Sequence, residues 1–369
     1  MIARTCTKIR RLCFNAAVLC LAFVVTIVLS PILVFAQFPG GFLEKATSTD
    51  IRATLTQLEI QALLPARGLF TFPPPYLTQG IRLTNESDCG GTDCVKYVGY
   101  SYWRNINNHS GGDEMLVFLT LRGNGGPTLF SYNKVTDAVT KLGPLFSASS
   151  PFSSATGEVW YFSAAQPTKL YLNSGPKLLR HDVLTKQFET VLDVSTQPAL
   201  FGANRIIWQM HSSNDDRVHS ATLKDGTTYA DLGCFAYDEA LIQFYYYPKL
   251  GAYDECQIDK SGRWLLIKEN VDGLNGEDNR IIDLQTGVET VLLDQIGAAG
   301  HSDNGSENMV AADNWNILPG AIRMWKFGQN PLQGPVVYRD PSWATQSAQH
   351  VSHVNSKKSM SLFCFSLVL

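Results

Sequence analysis

A turn motif that returns about every 50 residues constrains this chain more than any other feature. The pattern Asp/Asn-x-x-Thr occurs at Asn133 to Thr136, Asp182 to Thr185 and Asp283 to Thr286. The first two copies start 49 residues apart and the next 101, which leaves room for one copy between, placed at Leu223-Lys224-Asp225-Gly226-Thr227. Physically the motif ends a strand in a tight turn: Asp or Asn bonds its own backbone, and Thr or Gly completes the reversal. A full unit is legible from Ala252 onward. Tyr253-Asp254-Glu255-Cys256-Gln257, Trp264-Leu265-Leu266-Ile267, Arg280-Ile281-Ile282-Asp283 and Glu289-Thr290-Val291-Leu292 are four short β runs, and a new unit opens at Gly300-His301-Ser302-Asp303. Four strands per repeat predict an all-β, six- or seven-bladed β-propeller of four-stranded blades. A β-sandwich with ordinary hairpins is the competing architecture, but it supplies no reason for a fixed period.

The chain has 369 residues. Arg4, Lys8, Arg10 and Arg11 precede an apolar run over 12–35, and Val34-Phe35-Ala36 fits a cleavage site. Residues 1–36 therefore read as a signal peptide, with an uncleaved membrane anchor as the alternative. Residues 37–94 form an N-terminal segment: a short helix within 49–66, a strand at Leu69–Phe72, a Pro-rich extended link at 73–76, and material for a closing blade. Residues 95–356 carry the blades. The apolar tail 357–369 lacks turn signals; it supplies one closing strand, or it marks a truncated or frameshifted chain.

A formal net charge of −3 without a basic patch argues against nucleic acid as a partner. Outside the leader and the tail no run is apolar enough to span a membrane. The protein is thus expected to be secreted or periplasmic. Cysteine usage agrees with export: Cys89 and Cys94 suit a small local disulfide. Cys234 and Cys256 are either a second bridge or two buried thiols, and no CxxC pair offers a metal site. Asn-x-Ser sequons stand at Asn85, Asn108 and Asn304.

In a propeller the first strand of each blade lines the central channel, and the loop entering it lies at the channel mouth. Three entries are in phase: Tyr253-Asp254-Glu255, Gly300-His301-Ser302-Asp303 and Gln349-His350-Val351-Ser352-His353. Asp254, Glu255, Asp303, Trp315 and His211 are candidate ligand-binding residues. His301, Gln349, His350 and His353 are candidate ligands for a divalent metal such as Mn, Fe, Zn or Ca. His219 flanks the same loop as His211. Each has a plain structural alternative: His and Asp cap loops between blades, and Trp315 either stacks on a sugar ring or packs between blades.

Asp259-Lys260-Ser261-Gly262-Arg263-Trp264 resembles the strand-turn-strand hallmark of TolB-like and WD40-like exported β-propellers. More narrowly, His301 with Gln349, His350 and His353 resembles the metal-holding set of oligogalacturonate lyase propellers. The spacing of Gln349-His350-x-x-His353 departs from that family's, and no equivalent of its catalytic base is evident. The resemblance implies one of two functions. The first is an exported propeller that binds a small-molecule or saccharide ligand, or a protein partner, at its channel mouth. The second is a metal-dependent lyase acting on an acidic saccharide by β-elimination.

Overall fold

The computed structural model describes residues 54–339, apart from 75, 91–93, 99–102, 123–125, 153–159, 203, 275, 299, 301, 314–320 and 331–333. It also describes the backbone of 349–352 and 364–367. The leader predicted over 1–36 lies outside the described residues.

The chain divides into two compact units. In the first, Thr56 caps the helix Gln57–Leu63. The Thr56 hydroxyl accepts from the Glu59 amide at 3.3 Å, and the Glu59 carboxylate accepts from the Thr56 amide at 2.7 Å. Pro65 follows its end, as a residue that cannot continue a helix should. Gly68–Thr71 pairs with Gln79–Arg82, and Pro74 sits in the turn between them.

The second unit is a β-propeller of five blades. In the first blade, Val95–Tyr97 and Ile106–Asn107 both pair with Glu114–Leu121, followed by Gly126–Asn133 and Val139–Pro144. The second blade is Tyr161–Phe162, Lys169–Ser174, Lys177–Asp182 and Phe188–Asp193. The third is Arg205–Ser212, Val218–Asp225, Asp231–Asp238 and Gln243–Pro248. The fourth is Ala252–Ile258, Trp264–Asn270, Asp278–Asp283 and Glu289–Leu292, and the fifth is Ser302–Asn304, Asn308–Asp313, Ala321–Lys326 and Val336–Arg339. The fourth strand is the exposed edge of a blade. Glu255 to Ile258 are all buried, whereas Glu289, Thr290 and Val291 are exposed. The first strands of blades three, four and five pack on one another in turn, and are innermost.

The expected six or seven blades are corrected to five among the described residues. Among its described residues the N-terminal segment holds a helix and a two-stranded hairpin, too little for a blade. The sixth unit is a two-stranded ladder, in which Gln349–Ser352 pairs with Cys364–Leu367. Among the described residues no helix is long and apolar enough to cross a membrane.

The turn motif is built as the residues require. Asn133, Asp182 and Asp283 each end a third strand and accept backbone amides two residues on, at 3.0 Å in all three turns. The residue four beyond takes a left-handed backbone, with φ of 57° at Asp137, 63° at Lys186 and 72° at Gly287. The third-blade copy lies elsewhere than Asp225, which ends a second strand. The matching residue is Asp238, whose carboxylate accepts from the Ala240 amide at 3.0 Å and the Leu241 amide at 3.1 Å. Both turns use the same geometry, with left-handed Tyr229 and Ile242 respectively, so chemistry alone did not separate them.

Cys89–Cys94 is a disulfide as expected, and of the two alternatives for Cys234 and Cys256 the structure has the bridge. Cys234 lies on the third strand of blade three and Cys256 on the first strand of blade four, so their bridge crosses an inter-blade seam. The Asn304 sequon is buried and its amide donates to the Gln257 carbonyl at 3.1 Å, so that side chain is not open to glycosylation in the folded state.

Candidate functional site at the innermost strands

Innermost strands of blades one, three and four each carry a one-residue bulge, and the last two bulges each set a predicted residue. In blade three the ladder slips between Trp208 and His211, with Gln209 at φ 47°. In blade four it slips between Tyr253 and Glu255, leaving Asp254 as the extra residue. The blade-four bulge lets Glu255 face Lys268 of the next strand, and their side chains form a fully interior ion pair at 2.7 Å. Glu255 also accepts from the Gln257 amide at 2.9 Å. This fixes which way that amide points, since its oxygen cannot face a carboxylate.

Gln257 lies two residues beyond Glu255, on the same strand face. Its amide also reaches the Ser302 carbonyl on blade five at 3.4 Å, and Asn304 donates back to Gln257. The seam between blades four and five is thus lined by amides and hydroxyls. Gln257 Oε1, Ser302 Oγ and Asn304 Oδ1 are buried and have no hydrogen-bond partner among the described residues.

Asp254 is exposed on its bulge, yet protein crowds it closely enough that desolvation, and then the charge of Glu255, lifts its carboxyl above the usual aspartate range. Glu277 is raised in the same way, by burial first and by Asp254 next. Lys268 goes the other way: the carboxylates around it outweigh burial and hold its ammonium above the ordinary lysine value. Three carboxyl groups therefore share one ammonium.

His211 is buried at the far end of the blade-three strand, with its ring 5.3 Å from that of Trp103. Burial pushes its imidazole down to about 3, against the opposing pull of Glu255. His219 does not stand beside it. It turns towards blade two, bonding Ser212 at 2.5 Å and facing Glu239 at 3.5 Å, with its ring on Tyr171. Asp303 is buried, with its carboxylate 4.0 Å from the Lys260 ammonium. Asp254 and Glu255 thus mark the end where the chain enters the innermost strands, and His211 and Asp303 lie towards the hairpin end. Gln349 and His350 fall on the strand Gln349–Ser352, described by its backbone alone. His301, His353 and Trp315 lie outside the described residues.

Sequence reasoning passed over Lys260, Lys268, Gln257, Ser302, Asn304 and Glu277. Two-residue alternation from Glu255 points to Gln257. Nothing local points to Lys268, whose role depends on the bulge opposite it. A cleft of about 350 Å³ between the first two blades, lined in part by Leu116, Leu142 and Leu184, contains none of the predicted residues.

The His211 environment makes acid stability testable. The folded state keeps the ring neutral, whereas the unfolded chain protonates it near pH 6.5. Its folded pKa is depressed, so its contribution to stability is complete above about pH 6.5 and is lost as pH falls towards 3. His211→Phe is expected to flatten the decline in urea midpoint between about pH 6.5 and pH 4. An unchanged slope would assign the acid sensitivity to other groups.

No protein-family model matches the sequence, and neither does any curated protein. Among solved structures, similarity is found to TolB from Acinetobacter baumannii, with 10% identity and a TM-score of 0.37. That match covers 69% of this chain and 62% of TolB, so the chain spans less than two thirds of that relative. An oligogalacturonate lyase in complex with manganese is 14% identical with a TM-score of 0.36, covering 82% of this chain and 99% of the lyase. The β-propeller domain of the trilobed protease from Pyrococcus furiosus is 9% identical with a TM-score of 0.39, covering 72% and 79%. At TM-scores below 0.5 none of these likenesses bears on what this chain does, and its propeller fold is given by its own strand pairing.

Proposed function

We propose that this protein is an exported β-propeller that binds a saccharide or other small polar molecule on the innermost strands of its third to fifth blades. One observation carries the reading: Glu255, Gln257, His211, Ser302, Asp303 and Asn304 are all buried there, with Lys268 of the adjoining strand buried against them. Burying such groups costs stability that apolar residues of similar size would not forfeit, so packing alone gives no reason for them. The unpartnered oxygens of Gln257, Ser302 and Asn304 add an unmet demand for donors in the same seam. Export to an oxidising compartment is part of the proposal and is supported by the two disulfides.

Metal-assisted lyase chemistry on an acidic saccharide is the second reading. It is favoured by the backbone of Gln349–Ser352, which packs beside the blade-five strands Ser302–Asn304 and Asn308–Asp313. Gln349 and His350, with His301 and His353, would hold the cation, which would polarise a substrate carboxylate when bound.

Thermal-shift and calorimetric titration against a panel of neutral and acidic oligosaccharides tests the first reading, with Gln257→Leu as the control. Saturable binding by the parent, weakened at least tenfold in the variant while the fold persists, is the expected result. No binding across the panel would count against it. Elemental analysis of the purified chain after incubation with Mn, Fe, Zn and Ca tests the second, since a metal-free protein removes the lyase.

A further inference from the structure

The hairpin turns that close the innermost strands are stitched together. The Asn214 amide donates to the Lys260 carbonyl at 3.0 Å, and the Lys260 amide donates to the Gly305 carbonyl at 2.9 Å, so turns from blades three, four and five meet at Lys260. The rest of the Lys260 turn is committed to structure. The Asp259 carboxylate takes the Arg263 and Trp264 amides at 3.0 Å each and the Glu307 amide at 2.7 Å, and Gly262 supplies the left-handed residue. The Lys260 ammonium has only Asp303, at 4.0 Å, as an ion-pair partner among the described residues.

A second cation arrives from blade one. On that blade Val95–Tyr97 and Ile106–Asn107 pair with the same strand, and Trp103 and Arg104, just ahead of Ile106, bond to neighbouring blades. The Trp103 indole donates to the Met210 carbonyl at 2.5 Å and lies against His211, while the Arg104 carbonyl accepts from the Phe162 amide at 2.8 Å. Arg104 is therefore delivered to the hairpin end of blade three, next to the turn that holds Lys260. It is half-buried, and its guanidinium makes no hydrogen bond or ion pair among the described residues.

We propose that Arg104 and Lys260 form a recognition pair for a compact oxyanion (a carboxylate, phosphate or sulfate group) at the hairpin end of the innermost strands. A guanidinium presents a fork of donors matched to such a group, and an ammonium adds a point charge. Several other charged groups at these turns are committed elsewhere, and Asp215 lies 3.9 Å from Arg217. Asp259 is saturated by backbone donors, and Asp216 accepts from the Ser163 hydroxyl and the Ala164 and Ala165 amides. His211 is neutral, and the Tyr161 hydroxyl is bonded to Ser212. Asp303 is the one carboxylate at ion-pair distance from the Lys260 ammonium among the described residues. Burial and the charge of Arg104 together depress the Lys260 ammonium in spite of Asp303 and Asp259, and an arriving anion relieves that strain.

This inference rests on the ligand-binding reading and specifies one chemical feature of the ligand. Isothermal titration of the full chain with sulfate, phosphate and acetate, at ionic strength held constant with sodium chloride, tests it. At least one anion is expected to bind saturably. Arg104→Gln and Lys260→Gln should each weaken that binding at least tenfold, Lys260→Arg should restore it, and Asp303→Asn should tighten it severalfold by removing the opposing charge. Two results overturn the pair: no saturable binding by any of the three anions, or equal binding by parent and by folded Arg104→Gln and Lys260→Gln variants. Saccharide binding that Gln257→Leu abolishes and Arg104→Gln leaves intact would also overturn the pair, while sparing the ligand-binding reading.

Discussion

Replacing Lys268 with methionine is expected to destabilise the protein by about 3–5 kcal/mol, the largest effect of any single substitution proposed. Lys268 is one of the largest fully buried side chains, and its ammonium stands 2.7 Å from the Glu255 carboxylate. Removing it strips the counter-charge from a carboxylate that water does not reach, and Asp254 and Glu277 lose the cation they share. Removing both charges is a different matter. Glu255→Gln with Lys268→Met should recover most of the loss, because the pair's attraction only roughly offsets the cost of dehydrating its members. A double-mutant cycle in urea, with unchanged slopes, measures the coupling. Small additive losses would mean that water reaches the pair after all. The double variant also separates stability from function: if the innermost strands bind a ligand, it should fold and bind poorly.

Breaking the Cys234–Cys256 bridge should cost about 3 kcal/mol, the second largest effect. The bridge spans 22 residues and holds a third strand of one blade to the innermost strand of the next, whereas Cys89–Cys94 closes a loop of separation 5. Loop entropy alone makes the longer closure the more stabilising of the two, by about 1 kcal/mol. Cys256 also adjoins Glu255, so loosening this seam is expected to lower ligand affinity as well as stability. Comparing Cys234→Ala/Cys256→Ala with Cys89→Ala/Cys94→Ala in denaturant checks the ranking, and thiol counting on the unfolded, unreduced chain checks the bonding. Free thiols at Cys234 and Cys256, or equal losses from the two pairs, would contradict the assignment.

What the chain reveals before folding is its local chemistry. Asn133, Asp182 and Asp283 announce strand ends, because a short polar side chain that bonds its own backbone needs only a few neighbours in sequence. The four runs from Tyr253 to Leu292 announce a blade for the same reason, and the Asp259 to Trp264 turn closes through its own residues. The candidate site was legible in part. Asp254, Glu255 and Asp303 were found because blade phase predicts innermost strands, and His211 because it stands out by residue type.

The remainder depends on distance in space. Whether Asp225 or Asp238 carries the repeat is settled by which strand pairs with which, since both turns satisfy the same local rule. Lys268 becomes a partner of Glu255 only through a bulge that shifts the register by one residue, and register is a property of two strands together. Arg104 comes within electrostatic range of Lys260 across more than 150 positions of sequence, beside a Trp103 anchored on another blade. The count of five blades has the same origin. A blade needs four strands that find partners, and composition shows which segments favour strands without showing which of them pair.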